Sequence, residues 1–407
     1  MTSTIRMKIL ITTFTYPPNK DGVAEATRAM AEGLAGLGWE VSVATQYPNE
    51  IGSDSRLQHN EANGVTVRRF DLDKNCDQNP SKASEVRSYL EFVQNGSFDI
   101  IVNQCWEVWP TAVMQPIFHE LKGAKVMVSH GYSLHIYLWA QRWTLGLGVW
   151  LRGLKWTIFE LPRAARRYEH LIFLSEKQGW GRFFDHTVAT WLKHPGIEIV
   201  PNGTNPGLLI GGDTEFRERH GIGAGPMALC VANYCDRKNQ KLAIRIFRQA
   251  NVPESSLVFI GSELGDYGKE AKQLDAELRQ KHGAGRVVFL EKMTREETFA
   301  AYKNTDVMLL TAKAETQPIV LIEAMAAGKP WISTNTGCVD RMEGGVVCKN
   351  RAALVSALKE LMADPARRST LGAQGLEAAR TQYDSKTCVM KYDTIFRSLL
   401  PPEHSRA

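Results

Sequence analysis

Strand-like and helix-like stretches alternate along this chain, and they do so in two series separated by a Gly- and Pro-rich break. Residues 7–13 form a short apolar run of β-type residues. A loop with Pro17, Pro18 and Gly22 follows, then a helix-period segment over about 23–37 that Gly38 closes. Further strands read at 40–44, 65–70, 99–103, 125–129, 171–175 and 197–200, with helices expected near 82–93, 111–121 and from 176 to about 184. Such alternation specifies an open parallel sheet covered by helices. Residues 204–226 hold six Gly and two Pro and mark the expected domain boundary. A second series then begins. Its strands read at 227–232, 256–260, 287–290, 306–310, 330–333 and 346–347, and its helices at 240–249, 319–327, 352–362, 367–381 and about 386–400.

Length, charge and cysteine usage narrow the function classes. A chain of 407 residues is long enough for two domains with full cores. A net charge of +5 is far from a nucleic-acid-binding composition. The seven Cys show no Cys-x-x-Cys pair and no zinc-ligand spacing, as expected of free thiols in a reducing cytosol. No stretch reaches the roughly 18 uncharged apolar residues that a membrane span requires. No strand is followed by a Gly-x-Gly-x-x-Gly turn, which disfavours a dinucleotide oxidoreductase.

In open parallel sheets ligands bind at the carboxyl ends of the strands, so the loops there are the places to look. After the strand at 306–310 comes Ala-Glu-Thr-Gln-Pro-Ile-Val-Leu-Ile-Glu-Ala-Met-Ala-Ala-Gly-Lys-Pro, residues 314–330. Thr316, Gln317 and Pro318 look like a helix start with Thr316 as the cap, and Gly328 with Pro330 is a stop signal. Glu315 then lies at a helix N-terminus, where free amides and a partial positive charge suit a phosphate. Glu323 lies inside the helix among Ile319, Val320, Ala326 and Ala327, so it is expected to face a polar ligand. Arg237 and Lys238, adjacent cations at a loop-to-helix junction, have the chemistry to clamp a diphosphate or to be plain surface charge. His130 follows directly on a strand end, and Gly22 would let backbone approach a ligand closely.

Two Glu separated by seven residues, followed by Glu-Ala-Met-Ala-Ala-Gly-Lys-Pro from Glu323 onward, resemble the corresponding element of retaining GT-B glycosyltransferases of family 4, also called glycosyl transferases group 1. Val200-Pro201-Asn202-Gly203 resembles that family's last strand before the linker. The resemblance implies an α/β GT-B fold, two Rossmann-like domains facing across a cleft. It puts an acceptor-binding domain at 1–203, a nucleotide-sugar domain at 204–384 and a C-terminal helix crossing back at 385–407. It implies an enzyme that moves a sugar from a nucleoside-diphosphate sugar to an acceptor hydroxyl with retention and without a metal. Glu315 would touch the donor sugar, and His130 would position donor or acceptor. Glu323 would hold the ribose. Gly22, Arg237, Lys238, Gln317, Pro318, Ile319 and Val320 would line the sugar and diphosphate site. No cofactor is expected beyond the donor, with a UDP-sugar ahead of a GDP-sugar. Two positions depart from the family pattern. A lone Gly22 stands where the family usually has paired glycines, and Asn233 stands where it has Arg.

Residues 138–167 carry four of the ten Trp, interleaved with Arg142, Arg152, Lys155, Arg163, Arg166 and Arg167. Either this segment packs Trp inward and Arg outward, or it meets an anionic membrane surface. The second reading fits a lipid-linked saccharide acceptor and a cytoplasmic enzyme at the inner membrane face, in polysaccharide, lipopolysaccharide or glycolipid synthesis. A catalytically silent nucleotide-sugar-binding subunit and a GT-B epimerase or phosphorylase remain as alternatives. Asp71-Leu72-Asp73 is read as strand-end surface charge.

Overall fold

The computed structural model describes residues 7–48, 59–73, 76, 79–132, 151, 154–179, 181–205 and 215–401. The chain divides into two compact units: residues 1–202 with 386–407, and residues 203–385.

The first unit is built on an eight-stranded sheet. Its strands are β1 (Lys8–Thr12), β2 (Glu40–Gln46), β3 (His59–Ala62), β4 (Val65–Phe70), β5 (Ile100–Gln104), β6 (Ala124–Ser129), β7 (His170–Phe173) and β8 (Ile197–Ile199). Their order is β3-β4-β2-β1-β5-β6-β7-β8, parallel throughout except for the β3–β4 pair. Central strands are apolar on both faces, as a sheet covered on both sides requires: in β1, Ile9, Leu10 and Ile11 are all fully buried. The order reverses beside β1, which pairs Ile9 with Val41 of β2 on one side and with Ile100 of β5 on the other. Such a switch opens a crevice at the strand ends.

The helices of this unit are α1 (Gly22–Gly36), α2 (Ala83–Asn95), α3 (Trp109–Met114), α4 (Leu161–Ala165) and α5 (Phe184–Trp191). Asp21 caps α1, its Oδ1 accepting from the amides of Val23 and Ala24, 3.0 Å each. Two expected helices differ. The one read over 111–121 is α3 followed by a separate 3-10 turn at Gln115–Ile117, because Pro116 has no amide to continue the ladder. The one read from 176 is instead α5, beginning at Phe184. Gly179, at φ +155°, adopts a backbone that no helix contains.

The second unit has a six-stranded, all-parallel sheet: β9 (Met227–Val231), β10 (Ser256–Gly261), β11 (Arg286–Glu291), β12 (Val307–Leu310), β13 (Trp331–Thr334) and β14 (Gly345–Cys348), in the order β11-β10-β9-β12-β13-β14. Here the switch lies between β9 and β12, which pair through Val307 and Ala228. The helices are α6 (Phe216–Arg219), α7 (Gln240–Ala250), α8 (Gly265–Arg279), α9 (Arg295–Asn304), α10 (Ile319–Ala326), α11 (Arg351–Ala363) and α12 (Pro365–Thr381). Buried Ile244, Phe247, Phe259, Leu309, Ile332 and Leu358 lie in one apolar cluster of this unit.

A last helix, α13 (Ser385–Ser398), belongs to the first unit. Cys388, Tyr392, Ile395 and Phe396 join Ile9, Ile11, Val41 and Val43 in one core. The indole Nε1 of Trp39 donates to Asp393 Oδ1 at 2.7 Å. A Cβ on Gly33 of α1 would sit 2.5 Å from Val389, so only glycine lets α1 and α13 approach this closely. All seven cysteines are free thiols. Among the described residues no helix is long and apolar enough to cross a membrane.

Candidate functional site

The switch in the second sheet brings the loop after β9 against the loop after β12. The first loop is pinned to the second by the Lys313 amide, which donates to Arg237 O at 2.8 Å, and by Thr311 Oγ1, which donates to Asn239 O at 3.0 Å. This aligns the two cations with the first acid. Lys238 Nζ donates to Glu315 Oε1 at 2.6 Å, and Arg237 Nη1 lies 3.6 Å from the same oxygen while donating to Ala314 O at 3.1 Å. Glu315 is 8% exposed. Its amide donates to Thr336 Oγ1 at 2.9 Å. Behind it, Gly337 (φ +56°) leaves only 2.1 Å between a hypothetical Cβ and Thr316 O, so the turn after β13 must be glycine there to support this stretch. The buried carboxylate is fixed in place by one charge-assisted hydrogen bond, from Lys238, with the Arg237 charge close by.

Thr316 does not cap the helix as the sequence suggests. Its carbonyl accepts from the Cys338 amide at 2.8 Å, and Gln317, preceding proline, is biased away from helical backbone. The cap is Pro318, extended at φ −75° and ψ 109°, and α10 starts at Ile319. The first-turn amides of Ile319 and Val320 therefore have no carbonyl a turn earlier. From this start Glu323 lies one turn into α10, 1% exposed, and Arg295 of α9 donates to its Oε1. The Arg295 guanidinium also lies over the Phe299 ring, 4.6 Å from its centroid. Beside this pair the Tyr302 phenol is held protonated by burial first and by the Glu323 charge second. The second unit thus brings Arg237 and Lys238, on the loop after β9, against Glu315 on the loop that continues through Gln317, Pro318, Ile319 and Val320 into α10 with Glu323. Arg295, Thr336 and Gly337 were not legible as site residues, because each joins through a contact distant in sequence.

In the first unit, Gly22 is the first residue of α1, directly after the Asp21 cap. His130 follows β6 and faces the end of β5: its Nε2 meets Gln104 Oε1 at 2.7 Å. With that oxygen accepting, Nε2 carries the proton and Nδ1 is left as an acceptor. Burial pushes the imidazole down to about 4, so it stays neutral through the ordinary pH range. Asp185, at the start of α5, lies beneath the same turn. Its Oδ2 accepts from Trp106 Nε1 at 2.9 Å and from Ser129 Oγ.

Of residues 138–167, Trp139, Arg142, Trp143, Trp150 and Arg152 lie outside the described residues. Trp156 stacks on buried Tyr132, with centroids 5.1 Å apart. Leu151, Ile158 and Phe159 are 50%, 51% and 54% exposed, and Trp191 at the end of α5 is 60% exposed. Lys155, Arg163, Arg166 and Arg167 are exposed as well. Asp71 of the Asp-x-Asp pair forms an ion pair with Lys82 at 2.6 Å. Among the described residues no three His, Cys, Asp or Glu side chains cluster as metal ligands.

Two family models match the chain: glycosyl transferases group 1 over residues 212–378, and a glycosyl transferase 4-like domain over residues 21–179. A curated relative from Mycolicibacterium smegmatis, a GDP-mannose-dependent alpha-(1-6)-phosphatidylinositol monomannoside mannosyltransferase, is 28% identical over 403 residues, covering 93% of this chain and 95% of its own length. An N-acetyl-alpha-D-glucosaminyl L-malate synthase from Bacillus anthracis is 24% identical over 195 residues, 46% of this chain and 49% of that protein. Among solved structures, sucrose-phosphate synthase from Thermosynechococcus elongatus superposes with a TM-score of 0.77 at 20% identity, covering 97% of this chain and 99% of that one. The Anabaena protein HepE, solved with UDP and glucose, superposes at 0.72 and 17% identity, covering 97% and 100%. These likenesses carry the fold, two Rossmann-like α/β units of the GT-B type.

Proposed function

The chain belongs to the group 1, family 4 glycosyl transferases of GT-B fold, and from that premise we propose that it moves a hexose from a nucleoside-diphosphate sugar to an acceptor hydroxyl with retention at the anomeric carbon. The observation that carries this reading is the charge arrangement at Glu315. Two cations and a helix start converge where a leaving diphosphate would gather negative charge, one turn before a buried Glu323. The bond from C1 to the β-phosphate oxygen breaks with its electron pair on the diphosphate. The acceptor oxygen bonds to C1 on the same face, and its proton passes to a diphosphate oxygen. Lys238, Arg237 and the amides of Ile319 and Val320 stabilise that leaving charge, preorganised in place. Glu315 and His130 orient the sugar, and Glu323 takes the ribose hydroxyls. We read the reaction as metal-independent because the protein itself supplies these positive groups.

The donor is a GDP- or UDP-hexose. The name of the chain-spanning relative favours GDP-mannose, and the expectation of a UDP-sugar enters the same panel. The acceptor in this reading is a lipid-linked saccharide, reached at an anionic membrane surface. Exposed Leu151, Ile158, Phe159 and Trp191 beside Lys155, Arg163, Arg166 and Arg167 suit that interface, where apolar groups enter the headgroups and cations pair with anionic lipid.

The test is nucleotide release from UDP-, GDP- and ADP-sugars, with and without membrane lipid extract, alongside Glu315→Ala. Release from one donor, raised by extract and lost in the variant, is the expected result. Donor binding without release under any condition would make the chain a silent subunit. Flotation with phosphatidylglycerol vesicles should exceed that with phosphatidylcholine alone, and Phe159→Ser with Trp191→Ser should abolish the excess.

A further inference from the structure

A buried carboxylate lies under the His130 turn, and among the described residues no cation pairs with it. Asp185 is 3% exposed. Its partners are neutral donors from three elements: Ser129 Oγ at the end of β6, Trp106 Nε1 after β5 (2.9 Å), and the His186 amide in the first turn of its own helix (3.0 Å, on Oδ1). Ser129 passes the contact on. The same Oγ accepts from the Gly131 amide at 3.2 Å, so the hydroxyl that donates to Asp185 also holds the residue after His130. Gly131 has φ +92°, so the chain turns sharply there, and this hydrogen bond helps fix that turn. From the other side, His130 is held by Gln104. The imidazole is thereby clamped between the ends of β5 and β6.

We infer that Asp185 is a positioning residue for the transfer reaction: through Ser129 it sets the turn that presents His130 Nδ1. This rests on the role assigned to His130 under Proposed function. As a carboxylate, Asp185 accepts all three hydrogen bonds. Once protonated, it must place a hydrogen of its own among donors that already point at it, and Ser129 must rotate away, which releases Gly131. Burial raises the Asp185 carboxyl to about 6, the Ser129 and Trp106 hydrogen bonds opposing the rise. The other titratable groups facing it are Cys105, pushed up to about 12 by burial, and Tyr132, also raised by burial. Both stay neutral. Glu107 acts on those same two groups, and His186 adjoins Asp185 in the chain. With His130 neutral down to about 4, an acid limb near pH 6 is not that imidazole's own, and its loss in Asp185→Asn is what assigns it to Asp185.

Three variants separate positioning from plain stability, since each removes one hydrogen-bonding group of the cluster. Ser129→Ala and Asp185→Asn should lower kcat at least about tenfold, the scale on which a misplaced group costs rate. Donor KM should stay within about twofold, because donor contacts in the second unit are untouched. Both variants should lose the acid limb near pH 6. Trp106→Phe removes a bond that does not lead to the turn but does stabilise the carboxylate, so it should keep kcat at high pH and shift the limb to higher pH without abolishing it. A second readout needs no turnover: the His130 ring carbon resonances, assigned by their loss in His130→Gln, should step near pH 6 in the unmodified protein and stay flat in Asp185→Asn. Absence of that step, its survival in Asp185→Asn, or unchanged kcat in Ser129→Ala would each overturn the inference. If no donor turns over but the step is present and lost in Asp185→Asn, the link between Asp185 and His130 stands and the transferase reading falls.

Discussion

Lys238→Ala is the substitution whose consequences the structure determines most closely. It removes one of two cations beside Glu315, the nearer one at 2.6 Å, and leaves Arg237 Nη1 at 3.6 Å. Breaking a buried ion pair from one side costs about 3–5 kcal/mol when the abandoned charge has no other partner. Here the side chains are 17% and 10% exposed, and Arg237 remains in reach, so the loss of stability should be smaller, about 1–2 kcal/mol. The effect on rate is expected to be larger. Losing one preorganised donor at developing negative charge costs about 10²–10³ in kcat. The two magnitudes are read by separate assays: urea unfolding for stability, and donor turnover with calorimetric titration of the free nucleoside diphosphate for the site. Lys238→Arg should recover only part of the rate, because a planar fork cannot reproduce a point charge at this distance. If Lys238→Ala keeps kcat and diphosphate affinity within about threefold, less than 1 kcal/mol, then Lys238 serves only to hold Glu315 and the leaving-group assignment is wrong.

Gly337→Ala should cost at least about 2 kcal/mol in chemical unfolding, from its left-handed backbone and from a Cβ 2.1 Å from Thr316 O, and should depress turnover by displacing Glu315; a stable, fully active variant would show that the turn yields freely. Phe396→Ala, at a fully buried position in α13, should destabilise the first unit by about 3–5 kcal/mol while nucleotide binding by the second unit survives, as differential proteolysis and calorimetry would report. Stability against pH should show two opposing contributions. The His130 imidazole is lower when folded, about 4, so its contribution is present above the unfolded value of 6.5 and is lost as pH falls toward 4. The Asp185 carboxyl is higher when folded, about 6, so its contribution is present below 3.8 and is lost as pH rises through 6. Urea midpoints across pH 4–7 should therefore decline less on the acid side in His130→Gln and more steeply in Asp185→Asn.

The parallel strands were legible because buried parallel strands are written as unbroken apolar runs, and local composition alone separates 306–310 or 256–260 from their surroundings, whereas β3, antiparallel and written His-Asn-Glu-Ala, carries no such run and was not legible. Helix starts were less so. Thr316 is a good cap in isolation, yet its carbonyl is claimed by Cys338, 22 residues on, and the helix waits until Pro318. The cations at 237–238 and the acid at 315 could be named, but the pairing between them depends on β9 and β12 being neighbours, which is sheet topology and not local pattern. Arg295 shows the limit more sharply. Its sequence context, Thr-Arg-Glu-Glu, reads as an ordinary capped helix start, and nothing local distinguishes an arginine that covers a buried carboxylate on another helix from one that faces water. Asp185 sits between Phe184 and His186 without any motif, and its meaning comes from Trp106 and Ser129, 79 and 56 residues away.

Glu315 and Glu323 of the second unit are each covered by cations, but in ways that imply different fates if a donor binds as proposed. Lys238 and Arg237 lie at Glu315 with Arg237 anchored to Ala314 O, so these charges are held where a diphosphate would meet them and need no reorganisation. Three cations (Arg237, Lys238, Arg295) against two carboxylates leave the site one positive charge in excess, 3 − 2 = +1, which favours an anionic ligand over a neutral one. Arg295 is placed differently. Its side chain is 38% exposed and rests over Phe299, so it has a cation–π position to fall back on if it leaves Glu323. Glu323, 1% exposed, cannot give up the Arg295 contact without a replacement, since a buried carboxylate that loses a charge partner is expensive. A pair of ribose hydroxyls would supply two hydrogen bonds in exchange for one guanidinium contact. Under the proposed reading, Glu323 is the carboxylate that would exchange its guanidinium contact for ribose hydroxyls, while Lys238, 17% exposed, stays at Glu315 to meet the diphosphate.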